Sequence, residues 1–151
     1  MNIEYRYFST VTSDFEILSN EFNCELKEKF GNKQEKYQKY NLLKNIKDVI
    51  VCFIDDNPVG CVSIRFYEDD VYELKRMFIK PKYRGLGISK KMLQMIESKA
   101  KEKGCKRIIL ETGSLLVRAV QLYKKSGYQV IANYGEYVNM PESVCMEKIL
   151  K

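Results

Sequence analysis

The sequence has no histidine among its 151 residues. Histidine is the usual general base beside a serine or cysteine nucleophile, and it is the commonest metal ligand in proteins. Its absence excludes the Ser-His and Cys-His catalytic arrangements and the metal sites that depend on imidazole. Any proton transfer by this chain must therefore use a carboxylate, a tyrosine, a lysine, a cysteine or water.

Cysteine is scarce and dispersed, with no close pair among Cys24, Cys52, Cys61, Cys105 and Cys145. Structural zinc sites use closely spaced cysteines, and disulfide frameworks occur mainly in small secreted chains. We therefore expect reduced, mostly buried thiols and no metal. A cysteine nucleophile is left open, with Cys145 as its candidate, although no histidine is present to activate it.

Long apolar runs are also missing, since none approaches the roughly 18 residues of a membrane span. The N-terminal segment lacks the basic and apolar stretches of a signal peptide. These absences predict a cytoplasmic protein with no membrane partner. The length of 151 residues and the hydrophobic content of 45% predict a single domain, 1–151, with a packed core.

The net charge of +6 is spread along the chain rather than concentrated in one segment. Lysines are distributed over residues 27–47, over 80–106 and at the C-terminus. A nucleic-acid-binding module usually gathers its basic residues on one surface. We therefore expect no nucleic acid partner, and a basic module that binds nucleic acid is kept only as a third hypothesis.

Hydrophobic periodicity and turn residues predict a succession of strands and helices. Ser13 or Asp14 is expected to cap the first helix, and Gly31 to end it. The predicted elements are a strand at 3–8, a helix at 13–30, a helix or loop at 32–44, strands at 49–54, 59–66 and 71–79, a helix at 86–103, a strand at 107–110, a helix at 115–125, and strands at 128–132 and 144–150. This order predicts an α/β fold with a mixed central sheet and helices on both faces.

A glycine-containing turn joins the strand at 71–79 to the helix that follows it. Gly85 and Gly87 have no Cβ, so the backbone there can turn tightly and let an oxyanion approach its N–H groups. The first amides of the next helix lack intrahelical partners, and the helix dipole attracts negative charge to them. Arg84 and neighbouring lysines add positive charge. The turn therefore predicts a binding site for a diphosphate.

Two other phosphate-binding motifs do not fit this turn. A Walker A loop would need Gly-Lys-Ser/Thr, which is absent near Gly85. A dinucleotide fingerprint would need a third glycine where Lys90 stands. The diphosphate site must belong to another type.

Three segments, in order, resemble the Gcn5-related N-acetyltransferase (GNAT) family. The family's acyl-CoA motif, Arg/Gln-x-x-Gly-x-Gly/Ala, falls on Arg84, Gly87 and Ser89, although Ser89 replaces the final small apolar residue. Residues 71–85 resemble its strand and loop, and residues 118–128 resemble its later A-x-x-L-Y-x-x-x-G-F/Y segment. The resemblance implies the acyl-CoA N-acyltransferase fold, with a mostly antiparallel sheet whose two central strands splay apart around the pantetheine arm of the coenzyme.

The resemblance also implies which residues bind acetyl-CoA as cosubstrate. In family members the backbone at the end of the fourth strand pairs with the pantetheine amides and directs an N–H at the thioester carbonyl. The implied binding residues are Met77, Phe78, Ile79, Arg84, Gly85, Leu86, Gly87, Ile88, Ser89 and Lys90. The family often has Asn at the position of Leu116, so a hydrogen bond made by that Asn is not expected here.

The catalytic groups implied by the resemblance are Glu73 as general base and Tyr123 as the acid that protonates the departing thiolate. Lys75 shares the face of Glu73 in a regular strand, so a surface ion pair between the two is an alternative interpretation. Glu111 is a second carboxylate that could act as base. For Tyr123 the alternative is an aromatic residue that only packs in the core.

The resulting prediction is transfer of acetyl from acetyl-CoA to a primary amine of a small molecule, by direct attack in a ternary complex. A protein lysine or N-terminal acetyltransferase and a non-catalytic acyl-CoA sensor are the alternatives. Tyr134, Tyr137 and Phe30 could line the acceptor pocket. Assembly of the chain into a homodimer is a further alternative that the sequence leaves open.

Overall fold

A computed structural model describes residues 1–31 and 43–151. The strands are β1 Ile3–Phe8, β2 Asp48–Ile54, β3 Asn57–Glu68, β4 Val71–Ile79, β5 Arg107–Gly113, β6 Gln129–Ile131 and β7 Ser143–Ile149. The helices are α1 Ser13–Phe30, α2 Ile88–Glu102 and α3 Val117–Lys125, with 3₁₀ turns at Pro81–Tyr83 and Gly135–Tyr137. The element predicted at 32–44 lies, apart from its last two residues, outside the described residues.

The strands form one sheet in the order β1-β2-β3-β4-β5-β7-β6. Strands β1 and β2, β2 and β3, β5 and β7, and β6 and β7 pair antiparallel, whereas β4 and β5 pair in parallel. The parallel pairing joins Val71–Glu73 to Arg107–Ile109. The predicted fold class, with a mixed and mostly antiparallel sheet, is confirmed.

The described chain divides into two compact units. The first contains residues 1–65 and 75–96 as far as they are described, and the second contains residues 66–74 and 97–151. The prediction of a single domain over 1–151 stays a prediction. Among the described helices, none has both the length and the apolar character needed to cross a bilayer.

Helix α1 packs in the first unit through an apolar cluster that includes Phe15, Leu18, Val49 and Phe78. The residue that caps this helix lies one position earlier than predicted. Thr12 is the cap, because its side chain accepts a hydrogen bond from the Phe15 N–H at 3.2 Å. Thr12, Ser13 and Asp14 can all act as caps, so residue type alone does not distinguish them. Gly31 ends the helix, as predicted, with a φ of 55°.

Several boundaries differ from the prediction, among them the starts of β3, α2 and α3 and the end of β5, which runs to Gly113 rather than to residue 110. Strand β3 begins at Asn57, since Asp55 and Asp56 alone make the turn with φ of 48° and 69°. Helix α2 begins at Ile88 rather than at residue 86. Helix α3 begins at Val117 rather than at residue 115, and Leu115, which precedes it, is 66% exposed.

Arg76 interrupts the regular geometry of β4 with a φ of 57°. Its buried guanidinium donates hydrogen bonds from Nε to Ser19 Oγ at 2.7 Å and from Nη2 to Asn23 Oδ1 at 2.6 Å. The Phe22 ring lies 4.7 Å away. Burial lowers the pKa of Arg76 to about 10, so the side chain stays charged at neutral pH. Arg76 therefore ties β4 to α1, a role that the alternation of the sequence did not indicate.

Candidate active site

The glycine turn in the first unit has the geometry that the sequence predicts. Gly85 and Gly87 have φ of 84° and 79°, backbone angles that residues other than glycine rarely adopt. A Cβ at either position would meet no heavy atom of the protein within 4 Å. Helix α2 starts directly after Gly87 with Ile88, so its first amides follow the turn. The turn therefore has open space beside both glycines, directly before the N-terminus of α2, and its ligand stays a prediction.

Arg84 connects this turn to the rest of the first unit. Its Nε donates to the Ile79 carbonyl at 2.9 Å, and its Nη2 donates to Glu25 Oε2 at 2.9 Å. Its side chain is 32% exposed. The ion pair with Glu25 offsets part of the charge that the sequence analysis assigned to phosphate binding. Arg84 thus holds the turn in place and keeps part of its surface accessible.

The other predicted coenzyme-binding residues of the turn differ in accessibility. Ile88 is buried, Ser89 is partly buried, and Leu86 and Lys90 are exposed. Because the side chain of Ile88 packs in the core, this residue can offer a ligand only its backbone. The exposed Lys90 can contribute charge.

The end of β4 is held closely against β3. Phe78 and Ile79 are buried, and the Phe78 ring stacks on Phe22 at 5.3 Å, whereas Met77 is partly buried. A Cβ on Gly60 would lie 2.6 Å from Ile79 Cδ1 and 3.2 Å from the Phe78 carbonyl oxygen. A glycine inside a strand is the sequence signal for such a close approach.

Glu73 lies in the second unit and is 0% exposed. It is the last residue of β4 paired with β5, opposite Ile109. The hydroxyl of Tyr134 donates to Glu73 Oε2 at 2.5 Å. Burial, and next the Glu73 carboxylate, raise the pKa of Tyr134 above its ordinary value, so the phenol keeps its proton. Lys75 is only 8% exposed, so neither Glu73 nor Lys75 lies at the surface, and an ion pair between the two stays a prediction.

Tyr134 belongs to a group of tyrosines that the sequence analysis identified only in part. Its ring makes edge contacts with Tyr67 at 5.5 Å and with Tyr137 at 5.6 Å. Tyr137 is buried, so its ring packs in the interior of the unit. Phe30, predicted with these tyrosines, lies at the end of α1 in the first unit. Neither Tyr67 nor the bond between Tyr134 and Glu73 was predicted, since the bonded pair is separated by 61 positions.

Glu111 and Tyr123 lie in the second unit as well. Glu111 is partly exposed and accepts a hydrogen bond from Ser143 Oγ at 2.7 Å. Tyr123 is buried, and its ring contacts Tyr128 at 5.7 Å. Burial, and to a smaller extent the charge of Glu111, raise the pKa of Tyr123. Tyr123 therefore remains protonated at neutral pH, as a proton donor must before it reacts.

The thiols provide little support for a cysteine nucleophile. Burial raises the pKa of Cys145 to about 11 and the pKa of Cys61 to about 12. A thiol with such a pKa is almost entirely protonated at neutral pH, and the thiolate is the reactive form. Within residues 1–31 and 43–151, no three or more cysteine and carboxylate side chains are grouped closely enough to hold a metal ion.

Comparisons with known proteins agree with this architecture. Two curated relatives are similar over part of their length. The IAA acetyltransferase of Azospirillum brasilense is 38% identical over 93 residues, which are 61% of this chain and 61% of that protein. Human N-acetylaspartate synthetase is 32% identical over 89 residues, 58% of this chain and 30% of that protein. The chain thus spans less than two thirds of the length of either relative.

Among solved structures, a Klebsiella pneumoniae protein named as an acyl-CoA N-acyltransferase has a TM-score of 0.82 and 27% identity, over 99% of this chain and 98% of that one. The PaiA N-acetyltransferase of Thermoplasma acidophilum, in complex with coenzyme A, has a TM-score of 0.74 and 22% identity, over 99% of this chain and 100% of that one. The model of the acetyltransferase (GNAT) family matches residues 15–128. Since this match covers more than half of the chain, the protein belongs to the acetyltransferase (GNAT) family.

Proposed function

We propose that the protein transfers an acetyl group from acetyl-CoA to a primary amine of a small molecule, by direct attack of the amine on the thioester. The observation that carries the proposal is the turn at Gly85 and Gly87, which is open to solvent at both glycines and leads into the N-terminus of α2. Main-chain N–H groups at such a turn suit a diphosphate, because the helix dipole and the unpaired amides both favour negative charge. Acetyl-CoA carries such a diphosphate.

The cosubstrate fits the residues around this turn. Lys90 adds positive charge beside the glycines, and Arg84 is fixed by Glu25 and Ile79 in a position that keeps part of its side chain accessible. Coenzyme A is present in the structure of the PaiA relative, which has the same fold. In this proposal the backbone of residues 77–79 donates an N–H to the thioester oxygen, where negative charge develops during attack.

Acetyl transfer requires a neutral amine and a proton for the departing sulfur. Glu73 takes the proton from the amine, the amine nitrogen forms a bond to the carbonyl carbon, and the carbon–sulfur bond breaks. The resulting thiolate receives a proton from Tyr123. Because burial raises the pKa of Tyr123, its phenol gives up a proton less readily than an ordinary tyrosine, so transfer to the thiolate requires a direct hydrogen bond between the two groups in the complex.

A small amine is the acceptor class that we favour. The name of human N-acetylaspartate synthetase describes acetylation of an amino acid, and that protein shares 32% identity over 89 residues with this chain. A protein lysine or N-terminal amine is the second candidate. In a third, non-catalytic alternative, the protein binds acetyl-CoA as a sensor.

An amine panel with acetyl-CoA tests these alternatives, with release of free thiol as the readout. We expect saturable thiol release with at least one small primary amine and weaker release with lysine-containing peptides. Preference for the peptides would contradict the small-molecule acceptor. Calorimetric binding of acetyl-CoA without thiol release would indicate the sensor. Binding of duplex nucleic acid with steep salt dependence, and no binding of coenzyme A, would contradict the proposal altogether.

Replacing Tyr123 by Phe tests the proposed acid. We expect kcat to fall by about tenfold, with an unchanged dissociation constant for acetyl-CoA, because only protonation of the leaving thiolate is lost. Tyr128→Phe is the matched control, since Tyr128 is a buried tyrosine in ring contact with Tyr123. An undiminished kcat in Tyr123→Phe would assign this side chain to core packing alone.

A further inference from the structure

The loop between β6 and β7, residues 132–142, brings a hydroxyl group to the buried carboxylate of Glu73. The Tyr134 hydroxyl lies 2.5 Å from Glu73 Oε2, which is short for a hydrogen bond between oxygen atoms. Hydrogen bonds to an ionised acceptor are shorter and stronger than neutral ones. The contact therefore fits a phenol that donates to a carboxylate.

The loop is built to hold Tyr134 in place. The Asn133 side-chain amide donates to the carbonyls of Tyr137 and Met140, each at 3.1 Å, and the Tyr137 N–H donates to the Tyr134 carbonyl at 2.9 Å. Gly135 has a φ of 51°, and a Cβ there would lie 3.0 Å from the Tyr67 hydroxyl oxygen. These bonds and the ring contacts with Tyr67 and Tyr137 fix the direction of the phenol.

Other titratable groups of the second unit surround this pair. Those that act on it directly or through the Cys145 thiol are Tyr137 and Glu136 of the loop, Cys145 of β7 and Glu111 of β5. The buried Lys75 lies two residues from Glu73 along β4. A phenol, a thiol or a carboxyl group carries no positive charge and so does not stabilise a carboxylate, whereas the Lys75 ammonium would add to the effect of the Tyr134 hydroxyl. A buried carboxylate stays ionised only where donors stabilise the charge, and the Tyr134 hydroxyl is such a donor.

We propose that Tyr134 is a positioning residue for acetyl transfer, which donates to the Glu73 carboxylate and orients it so that Glu73, rather than Glu111, accepts the proton of the amine. The proposal rests on the proposed function, because it assigns a partner to the general base of that reaction. Two observations favour Glu73 over Glu111. The first is that Glu73 is fully buried, whereas Glu111 is partly exposed. The second is that Tyr134, the donor to Glu73, belongs to a loop that is fixed by its own hydrogen bonds.

The first test is the pH profile of kcat/KM for Tyr134→Phe, with the best amine of the panel. Loss of a donor makes a carboxylate harder to ionise, so we expect the acidic limb to move upward by about one pH unit. At a pH below both limbs we expect kcat/KM of the variant to be about tenfold lower than that of the wild type, because one pKa unit is a factor of ten in the ionised fraction, and the two values should converge at alkaline pH. Tyr128→Phe is the matched control, since it also removes a buried hydrogen bond from a tyrosine hydroxyl to a glutamate, in this case the 2.9 Å bond from Tyr128 to Glu97. Its acidic limb should stay in place.

An acidic limb in Tyr134→Phe that matches the wild type would overturn the proposal, and so would an equal shift in Tyr128→Phe. A shift of the limb in Ser143→Ala but not in Tyr134→Phe would also overturn it, because Ser143 donates to Glu111. Calorimetry with coenzyme A should give the same affinity for both tyrosine variants. A general loss of structure would instead weaken this binding.

A second test needs no acceptor amine. The carboxyl carbon of Glu73 can be followed by NMR in protein labelled with ¹³C-glutamate, and Glu73→Gln assigns the signal. We expect its titration midpoint to be higher in Tyr134→Phe than in the wild type by about one pH unit. Equal midpoints would overturn the inference even if the enzyme acetylates amines. A wild type that releases no thiol contradicts the proposed function, whatever the NMR titration shows.

Discussion

Replacing Glu73 by Gln is expected to lower kcat/KM for acetyl transfer by about a hundredfold or more, as loss of a general base usually does. Gln has the same shape as Glu and can still accept a hydrogen bond from Tyr134, but it cannot take a proton from the amine. The side chain is fully buried, so bulk water cannot easily replace it at this position. Thiol release from acetyl-CoA, measured between pH 6 and pH 10, gives the comparison.

Glu97→Gln is the matched control for Glu73→Gln. Glu97 is also a buried glutamate that accepts a tyrosine hydroxyl, from Tyr128 at 2.9 Å, and it also binds Lys148 at 2.8 Å. We expect this variant to unfold at lower denaturant concentration and to keep the acetyl transfer rate of the wild type. If Glu73→Gln retains the wild-type rate across the pH range and Glu111→Gln loses it, Glu111 is the base.

The parts of the site that depend on local sequence could be predicted. Gly85 and Gly87 indicate positive φ because glycine adopts it more readily than any other residue type, and both have it. The same geometry explains why α2 begins at Ile88. A residue such as Gly87, with a φ of 79°, cannot continue a right-handed helix, so the predicted start at Leu86 was wrong.

The parts that depend on distant contacts could not be predicted. The hydroxyl of Tyr134 and the carboxylate of Glu73 meet only after β4, β5 and β7 have paired, and nothing in either local sequence indicates the other. In the sequence, Arg76 occupies an ordinary position of a strand in which side chains alternate between the two faces. Its positive φ and its bonds to Ser19 arise from packing against α1, which overrides the local preference of an arginine.

Replacing Gly87 by Val should raise the dissociation constant for coenzyme A by about a hundredfold, the second large effect that we expect. A residue with a Cβ at a positive φ costs about 1–2 kcal/mol, and a β-branched residue costs the most. The protein itself leaves space for this Cβ, because no heavy atom lies within 4 Å. In the proposed complex that space belongs to the diphosphate, so Val would both strain the turn and exclude the ligand.

Gly104→Val separates these two effects. Gly104 has a φ of 86°, and a Cβ there would also meet nothing within 4 Å, but this glycine follows the C-terminus of α2. We expect both variants to lose similar unfolding free energy, measured in urea, and only Gly87→Val to lose affinity for coenzyme A in calorimetry. Equal affinities would show that the turn does not bind the diphosphate. The positive charge of Lys90 and the exposed part of Arg84 would then act without the main-chain donors, which contradicts the proposed binding mode.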